Sequence, residues 1–239
     1  MTTALEAPLP GPRPVASFRH TTALVGVMLT MAASGAYFQH RAARSGLTTL
    51  PHPHHPAGLY LSLIAMEWAL VLYIWRAGLR PAGASLRELV GGRWNSARAI
   101  ITDVVLALGT WGIWTGISWA VDRVSGPGHA ASVSAMLPRQ PLDIALWIAL
   151  SMSAGFAEEL VFRGYFQAQF HALTRNASAA LLLQAILFGV THGYQGLRAC
   201  LTITVYGLLM GALANARGSL RPGMIAHAWT DIAAGIFRI

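Results

Sequence analysis

The sequence contains few charged side chains, no lysine and a single cysteine. Charged residues make up 11% of the 239 positions, whereas an ordinary globular chain carries roughly 25%. Hydrophobic residues make up 54%, and they stand in long blocks rather than at scattered positions. The shortage of charge and the long apolar blocks argue against a soluble protein and indicate a membrane protein with several helical spans.

The lone cysteine and the source of the positive charge exclude further classes of protein. Cys200 lies inside an apolar block and has no second cysteine with which to form a disulfide or a metal motif. The net charge of +8 comes from arginines that cluster between the apolar blocks, without a basic stripe interleaved with aromatic residues. We therefore expect a lipid bilayer, and no nucleic acid, as the partner of this charge.

Seven apolar blocks predict an all-α, polytopic bundle of about seven transmembrane helices, with short interfacial helices in addition. The blocks cover residues 21–38, 57–75, 99–121, 142–161, 177–191, 197–214 and 223–237. The later blocks are short for a bilayer that needs about 20 apolar residues, so tilt or local thinning has to accommodate them. Small residues close the first block, as they do at a signal-peptide cleavage site, but we expect this helix to stay uncleaved.

Composition also divides the chain along its length. Residues 1–20 are rich in proline, glycine and alanine and predict a disordered tail. Residues 21–137 hold the first three blocks, and residues 138–239 hold the other four, within one integral membrane domain. When the spans alternate from a cytoplasmic N-terminus, most arginines fall on the cytoplasmic side. This bias predicts a multi-pass protein of the cell membrane with its N-terminus inside the cell.

Two adjacent glutamates and an arginine end the fourth block, in the stretch AEELVFRGYFQ. Glu159 and Arg163 are four residues apart and can form an ion pair on one helix face. Glu158 is rotated about 100° from Glu159 on a helix of 3.6 residues per turn, so it faces a different neighbour. One carboxylate is therefore left over, and in a low-dielectric site it can serve as a general base. A purely structural role for both glutamates is the alternative.

Polar residues that are costly in a membrane also lie in three other spans. FGVTH places Phe188 and His192 four residues apart, and HAWTD does the same for His227 and Asp231. Ionisable residues inside a membrane usually face the bundle interior or a cavity and pair with one another. Glu67, in the second span, is a further acid of this kind, for which the sequence identifies no partner.

The patterns E-E-x-x-x-R, F-x-x-x-H and H-x-x-x-D, in this order on successive apolar segments, resemble a known family. This is the CAAX protease and bacteriocin-processing family, also called CPBP or Abi, and the similarity extends over about residues 138–237. The resemblance implies an intramembrane endopeptidase of the CAAX prenyl protease type. It implies that Glu158 activates a water that it shares with His192, and that Glu159 and Arg163 support them.

The same resemblance implies that His227 and Asp231 lie near the developing oxyanion. The family often has asparagine where this chain has Asp231, and an ionised aspartate cannot donate a hydrogen bond to an oxyanion. The role of Asp231 therefore differs from the family pattern: either it is protonated, or it orients His227 as an acceptor.

Two questions of mechanism and function stay open at the level of the sequence. Glu158, His192 and His227 can supply the base, donor and acid of amide hydrolysis without a cofactor, or they can hold a divalent metal such as zinc. The motifs HExxH and HxxEH are absent, and we favour the metal-free mechanism. The expected substrate is a peptide or membrane protein, with or without an attached lipid. The alternative is a non-catalytic member of the family with a role in bacteriocin self-immunity, scaffolding or transport.

Overall fold

The computed structural model describes residues 12–44, 56–126 and 136–237, and all regular structure in these ranges is helical. The helices are α1 (Phe18–Arg44), α2 (Ala57–Tyr73), α3 (Leu86–Val90), α4 (Ala97–Ser125), α5 (Pro141–Glu158), α6 (Gln167–Thr174), α7 (Ala177–Thr191), α8 (Leu197–Arg217) and α9 (Arg221–Phe237). One π-helical segment, Ile74–Leu79, extends α2, and a second, Glu159–Phe166, joins α5 to α6. The predicted all-α fold is confirmed.

Five helical stretches are long and apolar enough to cross a membrane. They are Phe18–Arg41, Ala57–Ala82, Ala97–Ser125, Pro141–Thr174 and Leu197–Arg217. The predicted total of seven spans is not confirmed, because α7 has only 15 residues and α9 only 17. At 1.5 Å per residue α7 is about 22 Å long, which is less than the hydrocarbon thickness of a typical bilayer.

Local signals in the sequence set several helix ends. The Ser96 side chain accepts a hydrogen bond from the backbone N–H of Ala99 at the start of α4. The Asn176 side chain accepts hydrogen bonds from two backbone N–H groups in the same way at the start of α7. Such side chains satisfy donors that have no partner within the helix. Gly218, with a left-handed φ of 61°, ends α8 and allows the tight turn into α9.

The long stretch Pro141–Thr174 lies at the centre of the bundle. In its most apolar window 56% of the residues are buried, compared with 17–22% in the other four spans. Tyr165 and Phe166 in its π segment are fully buried, and they belong to one core with Phe188 of α7 and Met210 of α8. This centre is where the charged AEELVFRGYFQ stretch lies.

The N-terminal segment differs from the prediction of a disordered tail over residues 1–20. Residues 1–11 lie outside the described ranges, but α1 begins at Phe18, before the predicted boundary. The backbone N–H groups of Val15 and Ala16 donate to Oε1 of the buried Gln169, and its Nε2 donates back to the carbonyl of Ala16. An amide side chain can satisfy backbone groups on both sides, so a Pro-rich segment without helical periodicity is still held in place.

Candidate active site

The second glutamate of the adjacent pair begins the π-helical segment. All eight residues of Glu159–Phe166 are buried. A π-helical turn of this kind is rare and frequently occurs at functional sites. It places Glu159 and Arg163 inside the bundle rather than at its surface.

Glu159 and Arg163 form the ion pair that their spacing predicts. Nη1 of Arg163 lies 2.9 Å from Oε1 of Glu159, and both side chains are at most 1% exposed. The Arg163 guanidinium also lies over the Phe188 ring, 4.2 Å from its centroid. An unpaired charge at this depth would be strongly unfavourable. The ion pair with Glu159 and the contact with the Phe188 ring therefore both stabilise the buried Arg163 guanidinium.

His227 links this buried pair to two other acids. Its Nδ1 lies 2.8 Å from Oε1 of Glu159, the oxygen that Arg163 also contacts. Because a carboxylate accepts, Nδ1–H is the donor, and Nε2 faces the other way. Nε2 is 3.7 Å from Oε2 of Glu158 and 3.7 Å from Oδ2 of Asp231. Three carboxylates, from α5, the π segment and α9, thus lie within 3.7 Å of one imidazole.

Solvent exposure divides the cluster into two layers. Glu159 is 1% exposed and His227 is 6% exposed, so both form an inner layer with Arg163. Glu158 is 26% exposed and Asp231 is 36% exposed. The outer carboxylates can therefore reach water or a substrate, while Glu159 orients the His227 ring in the inner layer.

His192 lies beside the cluster rather than in contact with it. Its Nδ1–H donates to the carbonyl of Phe188 at 2.8 Å, which leaves Nε2 as the acceptor of the neutral ring. Across residues 12–44, 56–126 and 136–237, His192 forms no hydrogen bond or ion pair with Glu158, His227 or Asp231. The Phe188 ring connects them: its centroid is 4.9 Å from that of His192 and 6.2 Å from that of His227.

The sequence identifies Glu67 as an acid without a partner, and the structure provides one. Ser153 on α5 donates to Oε2 of Glu67 at 2.5 Å. The Glu67 carboxylate also interacts electrostatically with Glu158, Asp231 and His227. Ser153 has no sequence signal that distinguishes it from other small residues in the span, and only the packing of α2 against α5 reveals its role.

Tyr194 is a second residue that the motifs do not include. It lies two positions after His192, in the short 3-10 turn Gly193–Gln195, and the two rings are stacked with centroids 6.3 Å apart. Burial raises the pKa of the Tyr194 phenol, and the carboxylates of Glu158 and Asp231 raise it further. An aromatic hydroxyl two positions after the FxxxH pattern is the signal that could have identified it.

Close helix packing fixes the position of α9, which carries His227 and Asp231. The indole N–H of Trp147 on α5 donates to the backbone carbonyl of Asp231 at 2.8 Å. A Cβ added to Gly155 of α5 would lie 2.7 Å from the backbone nitrogen of Ala228. Only glycine allows the two helices to approach this closely.

The three residues of the metal alternative are not all joined to one another in the described ranges. Within the part of the chain that the structure describes, no group of three or more His, Cys, Asp or Glu side chains is arranged to hold a metal ion. Glu158 and His227 are near each other, but His192 is not joined to either of them. We therefore derive no step through a metal.

The helices and the buried acid–histidine cluster define a polytopic helical membrane protein with a polar site inside the bundle. Comparison with known families matches residues 140–233 to the Rce1-like family, described as type II CAAX prenyl endopeptidase Rce1-like. The model of that family matches this C-terminal part of the chain, and the predicted resemblance is confirmed. The matched range contains both glutamates, Arg163, both histidines and Asp231. No curated protein and no solved structure matches the chain.

Proposed function

We propose that the chain is an integral-membrane endopeptidase that hydrolyses a peptide bond with a water activated by Glu158. One observation carries the proposal: two accessible carboxylates, Glu158 and Asp231, face Nε2 of His227 above a buried Glu159–Arg163 pair. This cluster lies within the region that matches a family of endopeptidases. Accessible acids beside a fixed imidazole can supply the proton transfers that general acid–base catalysis of amide hydrolysis needs.

In the proposed reaction Glu158 takes a proton from water and later gives it to the leaving amine. Glu158 takes a proton from water, and the oxygen attacks the carbonyl carbon of the peptide. Nε2 of His192 accepts the second hydrogen of this water and orients it. The protonated Glu158 then donates to the leaving amine as the C–N bond breaks, and the carbonyl forms again as a carboxylic acid.

The other members of the cluster orient His227 and stabilise charge. The Glu159 carboxylate accepts a hydrogen bond from Nδ1–H of His227. This bond directs Nε2 of His227 to the place where Glu158 and Asp231 face the substrate. When the imidazole is protonated, Nε2–H donates to the developing oxyanion. Arg163 balances the Glu159 charge and stays out of the reaction.

We further propose the membrane setting and the substrate class. The N-terminus lies in the cytoplasm, and α7 and α9 lie at membrane depth within the bundle as the sixth and seventh spans. The site then opens near the cytoplasmic face, where it takes a peptide or membrane protein, with or without a lipid. The arginine distribution supports the orientation.

A purified preparation in lipid nanodiscs tests the activity. It is incubated with a peptide library and with a fluorogenic peptide that ends in a farnesylated CAAX sequence, and products are identified by mass spectrometry. We expect internal cleavage by the wild type and none by His192→Ala of unchanged thermal stability. If the wild type cleaves no peptide, or if His192→Ala cleaves at the same rate, the proposal fails.

A non-catalytic membrane protein of the same family is the second candidate. The separation of His192 from Glu158 favours it, because a scaffold, an immunity protein or a transporter does not need these two side chains on one water. Its distinguishing result is a cellular phenotype that persists in both Glu158→Gln and His192→Ala.

A further inference from the structure

Tyr194 is packed against two parts of the bundle in the turn between α7 and α8. Its ring stacks on the His192 imidazole with an angle of 28° between the planes. On α1, a Cβ added to Gly35 would lie 3.3 Å from the Cβ of Tyr194. The position of the phenol is therefore set by α1 and by a residue of the proposed site.

The Tyr194 hydroxyl has a hydrogen left to donate. Nε2 of Gln195 lies 2.9 Å from the phenol oxygen, and an amide nitrogen only donates. The phenol oxygen is therefore the acceptor in this contact. In the described ranges no acceptor lies within hydrogen-bond distance of the Tyr194 O–H, so its hydrogen is available to a substrate.

The charges of the accessible acids of the cluster act on the Tyr194 phenol. Tyr194 interacts electrostatically with the carboxylates of Glu158 and Asp231, and the residue is half-buried. Burial raises the pKa of the phenol above its ordinary value near 10, so it keeps its proton at neutral pH. A protonated phenol can donate where the two carboxylates cannot.

The proposed reaction leaves a need for such a donor. Negative charge develops on the substrate carbonyl oxygen as water attacks, and preorganised donors stabilise it. Nε2 of His227 is one donor, whereas ionised Glu158 and Asp231 only accept. We propose that Tyr194 is a further catalytic residue, whose hydroxyl donates a hydrogen bond to the oxyanion. This inference rests on the proposed endopeptidase function. The phenol keeps its proton throughout, and no bond to Tyr194 forms or breaks.

The variant Tyr194→Phe removes the hydroxyl and keeps the ring that stacks on His192. Tyr37→Phe is the matched control, because Tyr37 is 58% exposed on α1. With a peptide that the wild type cleaves, we expect Tyr194→Phe to lower kcat roughly 10²–10³-fold, the usual effect of losing one oxyanion donor. KM should stay within about twofold, because the bond forms only in the transition state.

Binding of a tetrahedral mimic separates this role from a structural one. A phosphinic analogue of the same peptide should bind Tyr194→Phe more weakly by a factor comparable to the loss in kcat. The uncleaved peptide, measured in the Glu158→Gln background, should bind equally with and without the Tyr194 hydroxyl. Equal phosphinate affinities, a wild-type kcat, or a loss confined to KM would overturn the role of Tyr194.

The two proposals fail in different ways. If wild-type protein cleaves and Glu158→Gln does not, while Tyr194→Phe remains fully active, only the role of Tyr194 is lost. If the wild type cleaves nothing, the endopeptidase function is overturned, and the role of Tyr194 with it.

Discussion

Nδ1 of His227 and Oε1 of Glu159 lie 2.8 Å apart, although the two residues are 68 positions apart in the chain. The same oxygen accepts from Arg163, so Glu159 holds both an arginine and an imidazole on one atom. This contact ties the π-helical segment to α9. It explains why a fully buried acid is needed beside the accessible Glu158.

Removing the Glu159 charge should destabilise the protein as well as the site. Glu159→Gln leaves the Arg163 guanidinium buried without its counter-ion, and breaking a buried pair in this way costs about 3–5 kcal/mol. Thermal unfolding in nanodiscs measures the effect. Glu88→Gln is the matched control, because Glu88 occupies an exposed capping box in which glutamine also functions. Equal loss of stability in the two variants would contradict the role of Glu159.

A methyl group on Gly155 should separate α5 from α9. The new Cβ would lie 2.7 Å from the backbone nitrogen of Ala228 and 2.9 Å from the carbonyl oxygen of Met224, and backbone atoms cannot move aside easily. We expect Gly155→Ala to destabilise the fold by about 1–3 kcal/mol and to lower cleavage. Gly112→Ala on α4 meets nothing within 4 Å and should be neutral or stabilising. A fully active and stable Gly155→Ala would disprove this packing.

Asp103 on α4 should be essential for joining α4 to the turn between α8 and α9. It is fully buried, and its carboxylate lies 2.7 Å from Arg217 and 3.3 Å from Arg221. We expect Asp103→Asn to cost about 3–5 kcal/mol, measured by denaturant unfolding. Asp122→Asn is the control, since its pair with Arg198 is partly exposed and should contribute at most about 1 kcal/mol. A smaller effect at Asp103 than at Asp122 would contradict this account.

Cleavage should not depend on a divalent metal. In the described ranges no group of three or more His, Cys, Asp or Glu side chains is arranged to hold a metal ion, and His192 is joined to neither Glu158 nor His227. We expect the rate to be unchanged after prolonged treatment with a chelator and gel filtration. Loss of activity that zinc restores would instead support the metal alternative.

Contacts between residues one helical turn apart could be predicted from the sequence. The Glu159–Arg163 pair and the proximity of His227 to Asp231 both follow from four-residue spacing on a helix. The all-helical fold followed from the apolar blocks. These predictions succeed because they depend on local geometry alone.

Contacts between distant segments could not be predicted in the same way. The contact of His227 with Glu159 depends on how α9 packs against the π segment, and the pairing of Glu67 with Ser153 depends on how α2 packs against α5. The π segment at Glu159–Phe166 has no sequence signal, yet it joins α5 to α6 in one continuous stretch that runs past the end of the predicted fourth block at residue 161. The number of spans also depends on packing, since short helices can lie inside a bundle without facing lipid.

The rate of peptide cleavage by Glu158→Gln tests the central claim most directly. Glutamine keeps the shape of the side chain but cannot take a proton from water, so loss of activity with unchanged folding isolates the general base. With Glu88→Gln as the control, we predict wild-type cleavage by the control and no detectable cleavage by Glu158→Gln of equal thermal stability. Cleavage by Glu158→Gln at the wild-type rate would contradict the mechanism.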